Sequence, residues 1–444
     1  MAKKYFGTDG IRGRANQFPI TADNILKVAM TIGSYFQAGD HRHRVVIGKD
    51  TRLSGYMIEN ALTSGFTSVG MDVFLLGPVP TPAVSMLTKS LRADIGIMIS
   101  ASHNPYYDNG IKIFDKNGEK LPDEVELEIE KLIDDNKELY VDATNIGKAT
   151  RLDEGKYRYI EFAKNTFPKD QDLSDLKVVI DCANGAAYAI APKVLWELGA
   201  NVVAIGNSPD GYNINENCGS TSPEQLSKAV LKHKADIGIA LDGDADRLVI
   251  VDEKGSVVEG DKLIALIAEK LHDEGSLKKD TVVITHMSNL ALENHLAYMG
   301  INTCRVGVGD RYILEEIKKS KYNFGAEQSG HIVLSDHSTT GDGLVSALQV
   351  LAILKNSDKK MSQLANCYQS NPQKLKNIDL KDGDNPLDNK NFKNFVAKMQ
   401  EDLGNDGRIF IRKSGTQNMI RILVEHHDEK MVDKIIADIC AQIN

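Results

Sequence analysis

The chain has 444 residues and a net charge of −9, from 53 lysines and arginines against 62 aspartates and glutamates. At roughly 150 residues per domain, this length predicts about three domains. The acidic balance argues against a nucleic-acid-binding protein, because no domain-wide basic surface is implied.

The remaining composition indicates a globular protein of a reducing compartment. Hydrophobic residues make up 42% of the chain and charged residues 26%, which is ordinary for a globular protein. The five cysteines are scattered without a CxxC pair, which predicts a reduced, cytoplasmic protein. The N-terminal residues show no secretory signal, and no apolar run approaches the ~20 residues of a membrane span.

The first 150 residues alternate between strand and helix patterns, which is typical of α/β layers. Residues 5–13 are rich in glycine and contain Arg12, which could cap a turn or reach an anion. A helical pattern follows over residues 21–32, and strands are predicted over residues 45–48 and 73–76.

Residues 93–115 predict two strands joined by a tight polar loop. Alternating isoleucines between positions 95 and 99 form an uncharged apolar run, which ends at small polar residues that include Ser102 and His103. A serine hydroxyl can carry a phosphate, although an ordinary hydroxyl-rich turn has the same composition.

The same unit recurs at residues 235–255. Both stretches begin Ala-Asp-Ile-Gly-Ile and end with a similar Asp…Gly turn, but the second carries Asp242, Asp244 and Asp246. An extended loop would turn these alternating carboxylates toward one point, where they would repel one another without a cation. Hard oxygen ligands suit Mg²⁺ or Mn²⁺. The repeat therefore predicts a phosphate carrier in one copy and a metal site in the other.

Breaks in the pattern divide the chain. A boundary is predicted near residues 145–154, followed by a strand at 176–182 and a helix that starts at 183–186. A third module begins after Gly255, and residues 371–391 are expected to be a linker and the start of a small last domain. The predicted domains are residues 1–152, 153–254, 255–368 and 369–444.

Two later loops offer groups that bind sugars and phosphates. Residues 324–334 again predict strand, loop and strand, now with the carboxylate, hydroxyl and imidazole of Glu327, Ser329 and His331, which suit sugar hydroxyls. Near the C-terminus, cations, hydroxyls and a glycine turn form a candidate phosphate site, for which a solvated basic hairpin is the alternative. Its members are Arg412, Lys413, Ser414, Gly415, Thr416 and Arg421. The combined groups predict phosphoryl transfer on a sugar phosphate.

Four motifs in order carry a family resemblance: ISASHNP, DGDADR, AEQSGH and RKSGT. The chain resembles the α-D-phosphohexomutase superfamily over essentially its whole length, and its FGTDGIRG opening is most similar to the bacterial members that act on amino sugars. The resemblance implies an α/β fold of three related mixed-sheet domains plus a smaller C-terminal α+β domain around a central cleft.

The resemblance also implies an activity. Phosphorylated Ser102 would interconvert glucosamine 6-phosphate and glucosamine 1-phosphate through a 1,6-bisphosphate, supplying UDP-N-acetylglucosamine for cell-wall precursors. Mg²⁺ is the implied cofactor, with glucosamine 1,6-bisphosphate or glucose 1,6-bisphosphate as primer. The expected partner is a small phosphosugar, and neither a nucleic acid nor a membrane is expected. The protein itself is expected to be a monomer or a homodimer.

The implied residue roles follow the motifs. Ser102 and the three aspartates Asp242, Asp244 and Asp246 would hold Mg²⁺, and Arg247 and Arg12 would support the transferring phosphate. Glu327 and Ser329 would hold sugar hydroxyls. Lys112 and His331 are candidates for proton transfer, and His103 is a weaker one. The non-reacting phosphate would lie against Arg412, Ser414, Gly415, Thr416 and Arg421.

The sequence departs from the family's motifs at one place, and three alternative functions remain open. The family commonly continues RKSGT with Glu-Pro, whereas this chain has Gln417-Asn418. The nearest rival is a phosphoglucomutase or phosphomannomutase. A metal-dependent phosphatase would use an aspartate nucleophile and release inorganic phosphate, and a sugar-phosphate-binding regulator would bind without turnover.

Overall fold

The computed structural model describes residues 4–7, 9–135, 139–380, 386–404, 406–413 and 418–443. Four β-sheets follow one another along the chain, each covered by its own helices. The first three sheets are mixed and the last is antiparallel. The predicted fold class, three related α/β domains and a smaller α+β domain, is confirmed.

The first sheet has six strands in the order β1-β5-β4-β2-β3-β6. Its central strands β2 and β4 run parallel and are almost wholly buried, as their continuous apolar sequences require. The elements are β1 (Ile11–Arg14), α1 (Ala22–Tyr35), β2 (Arg44–Lys49), α2 (Ser54–Ser68), β3 (Asp72–Pro78), α3 (Thr81–Ser90), β4 (Ile95–Ile99), β5 (Asp108–Asp115), α4 (Asp123–Asp134) and β6 (Ala149–Arg151).

The second sheet repeats this plan with five strands in the order β11-β10-β9-β7-β8. Parallel central strands are again followed by an antiparallel hairpin, here β9–β10. The elements are α5 (Gly155–Lys164), β7 (Lys177–Asp181), α6 (Ile190–Glu197), β8 (Asn201–Ile205), α7 (Glu224–His233), β9 (Ile237–Leu241), β10 (Leu248–Asp252) and β11 (Val257–Val258).

The third sheet has four strands in the order β13-β12-β14-β15, and its hairpin is β14–β15. The elements are α8 (Gly260–Asp273), β12 (Thr281–Thr285), α9 (Leu290–Tyr298), β13 (Asn302–Val306), α10 (Asp310–Ser320), β14 (Phe324–Ala326), β15 (Ile332–Leu334), α11 (Gly343–Lys355) and α12 (Met361–Leu364). Among the described residues, no helix is both long enough and apolar enough to cross a membrane.

The fourth sheet has three antiparallel strands in the order β16-β18-β17. Its elements are β16 (Gln373–Asp379), α13 (Lys390–Leu403), β17 (Gly407–Lys413), β18 (Met419–His426) and α14 (Glu429–Ile443).

The apolar cores show how these units are joined. One continuous cluster runs from Met98 on the first sheet through Ile239 on the second to Ile284 on the third. The last unit instead has a separate core, around Ile422 and Ile435. The first three units therefore share buried surface, while the fourth is stabilised mainly by its own packing.

One predicted helix start is wrong. No helix begins at residues 183–186, because Ala183 and Asn184 adopt positive φ angles of 54° and 47° and form turns; α6 begins only at Ile190. Residues 371–391, predicted as a linker and the start of the last domain, contain the edge strand β16 of the fourth sheet. The burial pattern of β16 is largely exposed, so it lacks the apolar alternation by which a strand is found in sequence.

Candidate active site

The three hairpins present their connecting loops to one cavity. We call residues 100–108 the serine loop, residues 242–247 the aspartate loop and residues 327–331 the sugar loop. A β-bridge joins Arg247 to His331, and the Leu248 N–H donates to the Gly330 carbonyl, so the last two loops are held together by backbone. The cavity has a volume of about 790 Å³ and is lined by residues of all four units.

Ser102 lies at the contact between the serine loop and the aspartate loop. Its Oγ donates to Asp242 Oδ2 at 2.6 Å and lies 3.2 Å from His103 Nδ1. A Cβ on Gly243 would lie 2.5 Å from the Ser102 carbonyl oxygen, so the close approach of the two loops requires glycine there. The fold therefore brings the serine loop and the aspartate loop into contact, as the sequence predicted.

The serine loop is held in an unusual backbone conformation. Ser102 has a φ of +50°, which is rare for a residue with a side chain. Its N–H donates to Ser100 Oγ at 2.9 Å, and that hydroxyl in turn donates to Asp50 Oδ2 at 2.7 Å. The surrounding hydrogen bonds thus select a conformation that the local sequence does not favour.

Arg52 is the centre of these hydrogen bonds, and the sequence analysis did not identify it. Its side chain is 0% exposed, and its guanidinium donates to the carbonyl oxygens of Ser102 at 2.9 Å, Asn104 at 2.8 Å and Asp108 at 3.0 Å, and also to that of Pro105. Its Nε also donates to the buried carboxylate of Asp50 at 2.7 Å. The sequence carried no signal for this contact, because the pairing of β2 with β4, which brings the residues after them together, is made only in the sheet.

The three predicted aspartates do converge, with one oxygen of each lying within 4.8 Å of the others. They converge by a tight turn, in which Ala245 has a φ of +59°, and not by the extended loop that the alternating sequence suggested. Burial and repulsion from Asp246 and Asp244 raise the pKa of Asp242 well above its usual value. Asp244 Oδ1 and Asp246 Oδ1 are buried without a hydrogen-bond partner. A buried group of carboxylates with free oxygens fits a hard divalent cation.

Lys112 neutralises the other side of this group. Its Nζ lies 2.7 Å from Asp244 Oδ2 and 3.0 Å from Asp246 Oδ2, and the side chain is 1% exposed. Burial opposes the charged ammonium, but the carboxylates of Asp244, Asp246 and Asp9 outweigh it and raise the pKa of Lys112 well above its usual value. Thr81, also missed in the sequence, donates to Asp244 Oδ2 at 2.5 Å.

His331 lies between the carboxylate of Asp246 in the aspartate loop and that of Asp310. Its Nδ1 is 3.8 Å from Asp246 and its Nε2 is 3.7 Å from Asp310. Burial opposes protonation, but these carboxylates prevail and raise the pKa of His331. Lys120 extends the chain of charges, because it bridges Asp310 and Asp9. His103 differs, because burial and the charges of nearby arginines lower its pKa to about 4.

Of the two predicted sugar-binding residues, Glu327 lines the cavity and Ser329 lies beside it on the sugar loop. Glu327 Oε1 accepts from the Gly309 N–H at 2.9 Å, and Ser329 Oγ donates to Glu327 Oε2 at 3.3 Å. Arg12 contacts Asp9, and its Nε and that of Arg247 are buried without a partner. Both arginines therefore keep donors free for an anion in the cavity.

Only part of the predicted C-terminal phosphate site belongs to the described residues. Arg412 and Arg421 are paired across β17 and β18, and both line the cavity. Burial and the neighbouring Arg421 charge lower the pKa of Arg412, so an anion there would relieve the repulsion. Ser414, Gly415, Thr416 and Gln417 lie outside the described residues. Asn418, the first described residue after them, exchanges hydrogen bonds of 2.8 and 3.0 Å with Leu380.

Comparison with known proteins agrees with this geometry. Models of phosphoglucomutase/phosphomannomutase α/β/α domains I, II and III match residues 3–140, 157–255 and 259–370, and the model of the C-terminal domain matches residues 375–442. The chain belongs to the phosphoglucomutase/phosphomannomutase family, as its four motifs predicted, and is an intramolecular phosphotransferase of the isomerase class.

The similar curated proteins narrow the assignment. The phosphoglucosamine mutase of Parvibaculum lavamentivorans is 56% identical over 444 residues, which cover 100% of this chain and 99% of that protein. The phosphoglucosamine mutase of Xanthobacter autotrophicus is 57% identical over 441 residues, covering 99% and 98%. The resemblance to the amino-sugar members is confirmed, and phosphoglucomutase/phosphomannomutase describes only the broader family.

Solved structures share the fold at lower identity. A family protein from Burkholderia thailandensis has a TM-score of 0.83 at 22% identity, covering 99% of this chain and 96% of that one. The N-acetylphosphoglucosamine mutase of Aspergillus fumigatus, determined with GlcNAc-6P and magnesium, has a TM-score of 0.67 at 16% identity, covering 99% and 95%.

Proposed function

We propose that this enzyme interconverts glucosamine 6-phosphate and glucosamine 1-phosphate through phosphorylated Ser102 and a 1,6-bisphosphate. The observation that carries the proposal is the cavity of about 790 Å³ with Ser102 on one wall and the Arg412–Arg421 pair on another. A reacting phosphate and a non-reacting one each have a separate anchor, which a mutase requires and a simple phosphatase does not.

The two half-reactions balance without an external acceptor. In the first, the anomeric O1 attacks the phosphorus on Ser102, the bond to Oγ breaks, and the O1 proton passes to a basic group. The resulting bisphosphate turns over within the cavity. Ser102 Oγ then attacks the other phosphorus, the bond to O6 breaks, and O6 takes up a proton as glucosamine 1-phosphate leaves.

The aspartate loop is the proposed magnesium site. Asp242, Asp244 and Asp246, together with the Ser102 phosphate, would hold the ion, which when bound neutralises charge on the transferring phosphate. The buried free Oδ1 atoms of Asp244 and Asp246 support this assignment. So does the magnesium in the Aspergillus fumigatus structure, which has the same fold.

The remaining roles are assigned by position. Arg247 and Arg12 support the transferring phosphate, and Glu327 and Ser329 bind sugar hydroxyls. Proton transfer is assigned to Lys112 and His331, with His103 third, because all three lie beside Ser102 or the aspartate loop. The non-reacting phosphate is assigned to Arg412 and Arg421, which line the cavity, and, from the RKSGT motif alone, to Ser414, Gly415 and Thr416.

Further parts of the proposal concern the whole protein. The domains are proposed at residues 1–152, 153–254, 255–368 and 369–444, and the protein is proposed to be cytoplasmic and a monomer or homodimer. A trace of glucosamine 1,6-bisphosphate or glucose 1,6-bisphosphate would prime the serine. The product would supply UDP-N-acetylglucosamine synthesis.

Phosphorus NMR of glucosamine 6-phosphate with Mg²⁺, a trace of hexose 1,6-bisphosphate and enzyme tests the proposal. Glucosamine 1-phosphate should form with wild type and not with Ser102→Ala, and glucose and mannose 6-phosphates should react more slowly. Inorganic phosphate as the main product would instead identify a phosphatase. If the intact mass shows that the serine is phosphorylated and no sugar phosphate is turned over, the protein binds sugar phosphates without catalysis.

A further inference from the structure

A second group of metal-binding side chains lies at the opposite edge of the first sheet. His41 and His43 precede β2, and Asp94 precedes β4. Their ligand atoms all lie within 4.8 Å of one another. The sequence analysis gave these histidines no function, and the catalytic cavity does not include them.

The spacing of these atoms is close to that around a tetrahedral ion. His41 Nε2 lies 2.9 Å and His43 Nδ1 lies 3.3 Å from the same oxygen, Asp94 Oδ1. Ligands bound to zinc at about 2.0–2.1 Å are separated from one another by roughly 3.3 Å in a tetrahedron. His43 Nδ1 is already at this separation from Asp94 Oδ1, His41 Nε2 is closer, and all three ligand atoms lie within 4.8 Å of one another, so side-chain rotation would admit the ion.

Two observations indicate a prepared site and not a chance contact. His43 is 9% exposed, and its buried Nδ1 lies 3.3 Å from the Asp94 carboxylate without a well-aligned hydrogen bond. Asp94 is held from behind, because its Oδ2 accepts from the Arg44 N–H at 2.7 Å and its own N–H donates to the Arg44 carbonyl at 2.9 Å. Backbone bonds of this kind fix the orientation of ligating carboxylates in metal sites.

We propose that His41, His43 and Asp94 form a second metal site, for a borderline divalent transition-metal ion such as Zn²⁺. Two imidazole nitrogens and one carboxylate oxygen favour such ions over Mg²⁺, which prefers oxygen ligands alone. The neighbouring Arg42 is paired with Asp72 at 2.9 Å, so that its charge is already compensated. The aspartate loop and this site would thus bind different classes of ion.

The ion would act on stability and not on catalysis. It would join the segment between α1 and β2 to the segment between α3 and β4. Both strands then run five or six residues to the catalytic edge, which at ~3.3 Å per residue places the ion roughly 16–20 Å from the serine loop. We expect the ion to cross-link the N-terminal ends of two neighbouring strands and to leave turnover unchanged.

The test measures Zn²⁺ and Co²⁺ binding to the full chain by metal analysis after dialysis, by titration against a coloured chelator, and by the visible absorption of bound Co²⁺. The variant His41→Ala removes a ring that is 54% exposed and should leave the fold intact. We expect it to bind one ion fewer than wild type, or to bind that ion at least about tenfold more weakly. Asp94→Asn should give the same result.

Two controls make the outcome decisive. His272 forms a similar pair with Asp280 at 2.9 Å, so His272→Ala removes a histidine–carboxylate contact and should not change binding. Asp244→Asn alters the aspartate loop and should keep the proposed ion. The proposal is overturned if wild type and His41→Ala bind Zn²⁺ with equal stoichiometry and affinity, or if all Zn²⁺ binding is lost in Asp244→Asn alone.

Discussion

Replacing Arg52 should separate the geometry of the serine loop from the binding of substrate. Arg52→Met keeps the length and apolar stem of the side chain but removes a guanidinium that donates to four carbonyl oxygens of the loop. It also leaves the buried Asp50 carboxylate without its cation. Of these four carbonyls, those of Ser102 and Asn104 would still accept from the Asn215 amide, at 2.9 and 3.1 Å.

The magnitudes follow from these contacts. Removing one partner of a buried ion pair costs about 3–5 kcal/mol, and we expect the free energy of unfolding to fall by that amount. A displacement of the Ser102 Oγ by roughly 1 Å should lower kcat by about 10²-fold. KM should change little, because Arg52 does not line the cavity.

A second variant distinguishes loop positioning from general destabilisation. Asp50→Asn combined with Arg52→Met removes the orphaned charge, so the free energy of unfolding should largely recover while kcat stays low. Arg158→Met, on an exposed arginine, is the matched control and should change neither. Steady-state kinetics well below the unfolding midpoint and urea unfolding provide the readouts. A single variant that keeps wild-type kcat, or a double variant that regains it with stability, would refute the reasoning.

Four further predictions concern the aspartate loop, the predicted C-terminal phosphate site and the buried Asp261. Asp244→Ala should lower turnover by about 10²-fold or more with unchanged circular dichroism, and unaltered turnover would remove the aspartate loop from the mechanism. Gln417→Glu with Asn418→Pro should change kcat/KM by less than about tenfold, since the arginines of the phosphate site remain; a rise of several orders of magnitude would contradict this. Gly243→Ala should reduce turnover because its Cβ would lie 2.5 Å from a serine-loop carbonyl, an argument that wild-type rates in that variant would rule out. Burial raises the pKa of Asp261 from 3.8 to about 6, so its ionisation destabilises the fold as pH rises. The free energy of unfolding of Asp261→Asn, relative to that of wild type, should therefore rise by about 2–3 kcal/mol from pH 4 to pH 7. A difference that stays constant over this range would contradict the raised pKa.

The sequence alone determined the chemistry of the loops and the order of the units. The repeated Ala-Asp-Ile-Gly-Ile unit predicted two hairpins, and both are present as β4–β5 and β9–β10. Periodicity and turn residues are local properties, so these strands could be found without the fold. The motifs also predicted the family, which the comparisons confirm. They singled out Ser102 and the three aspartates as candidates, and the fold brings these residues together.

The tertiary structure decided which groups meet and in what state. Arg52 is followed in sequence by a leucine and a serine and carries no motif, yet it is buried and bound to a loop about fifty residues away. Lys112 is an ordinary strand lysine until the aspartate loop of another unit surrounds it and raises its pKa. The pairing of His43 with Asp94 likewise depends on two strands that only the sheet makes adjacent. Contacts between distant segments and the burial of charge arise from packing, which local sequence patterns do not encode.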